Sequence, residues 1–450
     1  MYDPGPPNPS GYCFGGADAD QLLYHSGDAS APRLRWRQLL QQASARGWGE
    51  VRKYADRIMR LVAEPKVLFE AAGKLRAGGP KAAGPNGLSL DALDADELWQ
   101  MCRVLGLAVA TDTYRPGREL VVWIKKASGT GTRPIVLTDV QDRVVQKAAA
   151  LVLQTALEMR FDPLCFSPRQ QRTREHGIAV AEQLAAAHPV WLTHDLTDAF
   201  RRVPVNRLLD IVFKLLPCPR LRAFLARVLP PRARAVGGIK QGGPLSPLML
   251  GVYLTHVLSE PWRKAGHPTR LLFYVDDLLL VAPDVASATA ADAALRELLT
   301  PAGMLLKAPF AAAVRDIRVE PAEWLGFQFR LAGGKFRVRL GADAFPRLAR
   351  RFLAAHAKPR PADRAALVLR HWAAQLGPSY RDEDRGAVVG RAFETAMAHG
   401  FEELPAGHEL EAAWAGAHGR WRATRKLVRG TPSYLVTGPV VPPPPTSVIW

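Results

Sequence analysis

The chain has 450 residues, 48% of them hydrophobic, with 60 lysines and arginines against 42 acidic residues and a formal charge of +18. That length accommodates roughly two to four domain-sized units, and a charge of that sign and size favours a polyanionic partner, most often nucleic acid, over a soluble protein that is merely basic. Cys13, Cys102, Cys165 and Cys218 lie far apart with no CxxC pair, which argues against a zinc knuckle or a disulfide framework and fits a reducing cytoplasm.

From the N-terminus, residues 1–33 are rich in Pro, Gly, Asp and Ser and read as an irregular arm, with no basic segment leading into an apolar one as a secretory leader requires. Leu34 to Leu75 turns helical, with Leu39, Leu40, Val51, Tyr54, Ile58, Leu61 and Leu68 at helix-like spacing and Gly47 and Gly49 breaking the run. A basic, glycine-rich loop follows from Lys81 to Gly87. Val121 to Ile124 reads as a strand, Lys125 to Thr132 as a turn, and Val140 to Met159 as a long helix. Val190 to Asp195 and Leu271 to Val275 read as short buried strands, and Leu248 to Leu258 as an apolar helix. The longest apolar run, Gly242 to Ser259, contains Pro244, Pro247 and His256, so no membrane span is expected. After about Ala332 the pattern is mostly helical, and Pro439 to Trp450, with Pro442 to Pro445, reads as an extended tail.

Chemistry concentrates at Leu271 to Val281, where two apolar strands flank Asp276-Asp277. The expected geometry is a hairpin with both carboxylates at its turn. Adjacent anions in an apolar setting repel each other and call for a cation, and hard divalent ions such as Mg²⁺ prefer carboxylate oxygens. Alone, an Asp-Asp pair is an ordinary turn. Asp195, ending the apolar strand Val190–Asp195, changes this: three carboxylates at neighbouring strand ends make a cradle for two metals, suited to in-line nucleotidyl transfer. Gln241-Gly242-Gly243-Pro244-Leu245-Ser246-Pro247 adds glycines that permit close backbone approach to a ligand, and a Ser/Pro helix start.

The order Asp195…Phe200, Gln241 to Pro247, then Tyr274-Val275-Asp276-Asp277 resembles the reverse transcriptases, most of all the bacterial group II intron, retron and defence-associated lineages. Other segments resemble the family in sequence order: Lys81 to Gly87, Tyr114-Arg115-Pro116, Ile124-Lys125-Lys126, Arg133-Pro134-Ile135, Asp142 to Gln146 and Trp324-Leu325-Gly326-Phe327. The resemblance covers about residues 75 to 332.

It implies an α+β right-hand polymerase: interleaved fingers and palm over 34–332, the palm an antiparallel sheet, then a helical thumb over 333–432 and the proline-rich tail 433–450. It implies that Asp195 and Asp276 bind two Mg²⁺ ions (Mn²⁺ as an alternative), with Asp277 in support and the backbone of Leu196 helping. Phe200 falls at the steric gate that favours deoxynucleotides. Lys125 and Arg133 become candidates for the triphosphate, with Gln241 near the templating pair. Tyr274, Gly242, Trp324 and Gly326 fall at primer and template positions. Partners implied are an RNA template, in particular a dedicated non-coding RNA, with dNTPs and a DNA product. The thumb cations Arg420, Arg422, Arg425, Lys426 and Arg429 are expected to track a nucleic-acid backbone or form a solvated helix face.

The chain departs from the family in places. Lys307 comes earlier than the family's lysine, so the sequence does not assign it as leaving-group acid. Cys165 to Arg169 is a degraded glycine-arginine motif, and a retron-type Asn-Ala-x-x-His is absent, although Val436-Thr437-Gly438 resembles a retron thumb motif. RNA-templated RNA synthesis is disfavoured by Phe200. Template-independent or protein-primed synthesis, with Tyr2, Ser10 or Tyr12 as hydroxyl donor, and a non-catalytic maturase-like scaffold stay open. The biological expectation is antiphage defence, with a domesticated intron-like or retron-type enzyme as the alternative.

Overall fold

The computed structural model describes residues 35–431 apart from 78–81, 127–130, 167–168, 170–171, 234 and 381–383. The expected arm and tail, Lys81, Val436 to Gly438 and the donors Tyr2, Ser10 and Tyr12 lie outside the described residues.

Among the described residues, nine strands form three antiparallel sheets. β1 (Glu119–Lys125) and β2 (Thr132–Thr138) make a hairpin. β3 (Val190–Asp195), β4 (Arg270–Tyr274), β5 (Asp277–Ala282) and β6 (Val314–Asp316) make a central sheet in the order β4-β5-β3-β6. β7 (Ala322–Trp324), β8 (Phe327–Ala332) and β9 (Lys335–Leu340) make a meander. The α+β class expected from the sequence is therefore present.

The central sheet is buried on both faces, and strand alternation assigns its residues. Val190, Leu192, Leu278 and Leu280 join the main core with the helices Val140–Leu157 and Val285–Leu299. Trp191, Leu272, Leu279 and Val281 join a second core with Trp324, Phe327 and Phe329 of the meander. The helix Val140–Leu157 is buried almost all round because alanines on its crowded faces admit close neighbours. A third core holds the helices Ala344–His356, Pro361–Ala373, Arg385–Met397 and Gly407–Arg429 together.

Details differ from expectation. Gly47, at φ +113°, ends the first helix, but Gly49 sits inside the short helix Trp48–Arg52. The apolar helix begins at Ser246, where Pro247 fits its first turn, and passes through a π turn, Thr255–Ser259, into Glu260–Ala265. A strand, β9, follows Ala332 before the helices begin, because Lys335 to Leu340 alternates apolar and basic residues with period two. Among the described residues no helix is long and apolar enough to cross a membrane.

Candidate active site

β4 and β5 are joined by the two residues Val275 and Asp276, with Tyr274 opposite Asp277. Val275 takes φ +59°, a left-handed conformation that β-branched residues rarely adopt. The tightness of this turn brings Asp276 and Asp277 to the strand end together. β3 pairs antiparallel with β5 in a register that sets Asp195 directly opposite Asp277. Alternation then places Asp195 on the face of Trp191, and His194 on the opposite face toward Val285–Leu299.

Backbone bonds lock this arrangement. Leu196 N–H donates to the Asp276 carbonyl at 3.1 Å, Thr197 N–H to Leu305 at 2.7 Å, and Lys307 N–H to the Asp195 carbonyl at 3.0 Å. The Lys307 ammonium bonds Asp195 Oδ2, while Asp195 Oδ1 is buried without a partner. Burial, then Asp276 and Asp195, push the Asp277 carboxyl up to about 7. Asp276 is also raised, by burial and by Asp195, against the opposing pull of Lys307 and Arg133.

The donor chemistry fits divalent cations: hard oxygens, mutual repulsion and an unpartnered carboxylate oxygen. Among the described residues, however, no three His, Cys, Asp or Glu side chains are already gathered as a metal-holding cluster, and Lys307 supplies the positive charge at Asp195. Asp195, Asp276, Asp277 and Leu196 are thus brought together as the sequence suggests.

The β1–β2 hairpin separates the two cations expected at a triphosphate. Ile124 pairs with Arg133 and Lys125 with Thr132, so Arg133 and Lys125 point to opposite faces. Arg133 is close enough to Asp276 to oppose its upward shift. Lys125 is exposed on the other face, whereas Lys126 reaches Asp198 Oδ1 at 3.2 Å. Lys126 is thus the hairpin lysine that faces the carboxylate strand's continuation.

Phe200 lies on the short helix Ala199–Arg202, entered through Asp198 at φ +47°. Its carbonyl accepts Ile239 N–H at 2.9 Å, and a side chain at Gly238 would meet that carbonyl at 2.2 Å. The Gln241 carbonyl accepts Val136 N–H at 2.9 Å, and a Cβ on Gly242 would sit 3.0 Å from Ile135. Gln241 and Gly242 are thereby tied to β2, and Phe200 to the loop at Gly238 and Ile239. Tyr274 is partly buried against the second core. Trp324 is only 3% exposed and packs against Gly177, so its indole holds the meander in the second core. Gly326, at φ +80°, is exposed in the β7–β8 turn.

Two supporting networks were not visible in the sequence. His194 Nε2 lies 2.8 Å from Asp292 Oδ1, and Arg296 binds Asp292 through both oxygens and reaches the Ala308 carbonyl at 3.1 Å, beside Lys307. Lys240, fully buried, pairs with Glu119 at 2.7 Å and donates to the Val228 carbonyl at 2.9 Å. A polar residue in an apolar strand, His194, was the one local signal for either.

The expected thumb cations divide. Arg425 binds Glu182 through both oxygens, Arg429 reaches the same carboxylate at 3.4 Å, and Arg420 donates to the Ala374 carbonyl. Arg422 and Lys426 remain exposed.

Residues 124–329 match the family model described as reverse transcriptase (RNA-dependent DNA polymerase). Protein YkfC of Escherichia coli K12 is 27% identical over 212 residues, 44% of this chain and 55% of that one. The group II intron-encoded protein LtrA of Lactococcus lactis subsp. cremoris is 19% identical over 223 residues, 48% of this chain and 37% of that one. The chain thus spans about half or less of these relatives' length. Among solved structures, a telomerase from Candida albicans in complex with a telomeric RNA fragment aligns over 75% of this chain and 69% of its own, at 10% identity and TM-score 0.36. A Cas6-RT-Cas1–Cas2 complex aligns over 53% of this chain and 40% of its own, at 18% identity and TM-score 0.31. The paired aspartates of neighbouring strands lie inside the span, residues 124–329, that is similar to the reverse transcriptase family.

Proposed function

We propose that this protein is an RNA-directed DNA polymerase that extends a primer 3′-hydroxyl with deoxynucleotides. The observation that carries this is the register setting Asp195 opposite Asp277, one residue from Asp276, within the matched reverse transcriptase span. In this reading Asp195, Asp276 and Asp277, with the Leu196 backbone, hold Mg²⁺. The ions supply charge that activates the hydroxyl and stabilises the pyrophosphate leaving group. Arg133 and Lys126 attract the triphosphate. Phe200, held from behind by Ile239 and Gly238, closes against a ribose 2′-hydroxyl. Gln241 and Gly242 support the templating pair, and Tyr274 and Gly326 the primer. The fingers and palm span 34–332 and the thumb 333–432.

The test is primer extension on an RNA template with dNTPs and Mg²⁺, comparing the protein with Asp276→Ala/Asp277→Ala. The double variant is expected to lose at least about 10³-fold in rate. Equal product from both proteins defeats the reading. We extend the proposal to the copying of a dedicated non-coding RNA in antiphage defence, supported by the motif likeness to defence-associated lineages. Sequencing co-purified nucleic acid, and phage plating on cells carrying the wild-type or double-variant protein, test it; a diverse RNA pool and equal plating remove it.

A further inference from the structure

The meander's outer face carries a concentration of charge that the polymerase reading leaves unused. On β9, Lys335, Arg337 and Arg339 are exposed and alternate with Phe336, Val338 and Leu340. The β8–β9 register sets exposed Arg330 directly opposite Arg337. Phe329 and Phe336 point the other way, with ring centroids 5.4 and 6.0 Å from that of Trp191 on β3. The aromatic face is therefore fixed to the central sheet, and the basic face lies one layer beyond it.

Same-face residues recur about every 6.8 Å along a strand, and adjacent strands lie about 4.8 Å apart, so the four cations occupy a patch of about 14 by 5 Å. Among the described residues, none of the four side chains forms an ion pair or hydrogen bond. The carboxylate that shares this face, Glu323, is already engaged by Gln328 Nε2 at 2.8 Å and Ala342 N–H at 2.9 Å. Like charges directly opposite across strands destabilise a sheet. Here four cations share a rigid face with the carboxylate of Glu323, an excess of positive charge in a chain of net charge +18. An external polyanion relieves that repulsion, and regularly spaced cations on a rigid face suit a phosphate backbone better than an isolated anion.

We propose that Arg330, Lys335, Arg337 and Arg339 form a docking surface for the sugar-phosphate backbone of a nucleic acid, separate from the catalytic carboxylates. The inference concerns binding alone and stands whether or not the chain polymerises.

The test measures affinity of the full chain for a labelled hairpin RNA, and for DNA of the same sequence, across a range of KCl concentrations. Variants are R330Q/K335Q/R337Q/R339Q and the charge-preserving R330K/R337K/R339K. The quadruple variant is expected to bind at least about tenfold more weakly, with the slope of log affinity against log salt shallower by about 3. The lysine variant keeps the wild-type slope. Loss with either polymer supports the surface, and the RNA–DNA comparison assigns which it prefers. Unchanged affinity and slope in the quadruple variant overturn the proposal, as they would if the face met an acidic protein. A drop confined to a short primer–template, matched by slower extension at saturating primer–template, also overturns it, because the cations would then belong to the catalytic cleft. Circular dichroism and the melting temperature confirm that each variant folds.

Discussion

Asp277 sits where repulsion and burial reinforce each other, and its carboxyl is pushed up to about 7 by burial, then Asp276 and Asp195. Between the ordinary carboxyl value of 3.8 and about 7, the folded chain holds a proton that the unfolded chain has released. Stability from this group is therefore lost as pH rises through that window. Asp277→Asn is expected to raise the melting temperature of the chelator-treated protein by a few degrees at pH 8, with the gap closing near pH 4. Calorimetry in the two buffers checks it; a gap that is constant with pH removes the account. At this scale the sequence was informative about type and silent about direction. The Asp pair and Asp195 were legible because charged residues interrupt apolar strands. Lys125 and Lys126 are adjacent and chemically identical, and only pairing across β1 and β2 decides which faces the site. Lys307 finds Asp195 across 112 residues, a contact no local pattern encodes.

Two elements rest on buried groups whose removal has readable consequences. The helix Arg174–Leu184 begins with Thr173 N–H donating to His176 Nδ1 at 3.1 Å, which requires a neutral imidazole. Burial, with Arg172 nearby, pushes that imidazole down to about 4. Its contribution is full above the ordinary 6.5 and is lost as pH falls from 6.5 toward 4, on the order of 3 kcal/mol in total. His176→Gln, which keeps an acceptor at the same helical position, is expected to flatten this part of the urea-unfolding pH profile. An unchanged profile assigns the acid sensitivity elsewhere. The loop before the helix Ser246–Leu254 is held by the buried Lys240–Glu119 pair. Lys240→Met strands Glu119 and is expected to cost about 3–5 kcal/mol, while Lys240→Met/Glu119→Met recovers most of it. Chemical denaturation of the three proteins decides, and a double variant as unstable as the single one contradicts the pairing. Helices and strands were legible as periodicities, as in β9, whose alternation of apolar and basic residues is a strand pattern. What joins them was not: Glu119 and Lys240 are 121 positions apart, each unremarkable in its own neighbourhood.

At the scale of the whole molecule, the C-terminal helices are fastened to the helix Arg174–Leu184 from both ends. Arg425 and Arg429 converge on Glu182, and Arg174 stacks on Phe327 while donating to the Gln375 carbonyl at 3.0 Å. Removing the shared carboxylate by Glu182→Ala frees two arginines together and forfeits about 1–3 kcal/mol of attachment. Products per binding event are expected to shorten several-fold in an extension assay with a heparin trap, with single-nucleotide addition little changed. Product lengths equal to wild type contradict a role for this attachment. The basic run from Arg420 to Arg429 announced charge in the sequence but could not show that Arg420, Arg425 and Arg429 bond to protein. The pairing of β3 with β5 has a last consequence, for how the chain reaches this structure at all. A slip of one residue turns Asp195 toward the apolar helices and His194 outward, so a misregistered sheet buries a carboxylate without a partner. The same alternation that assembles the carboxylate trio therefore acts as quality control during folding: a chain that pairs wrongly is also a chain that cannot settle.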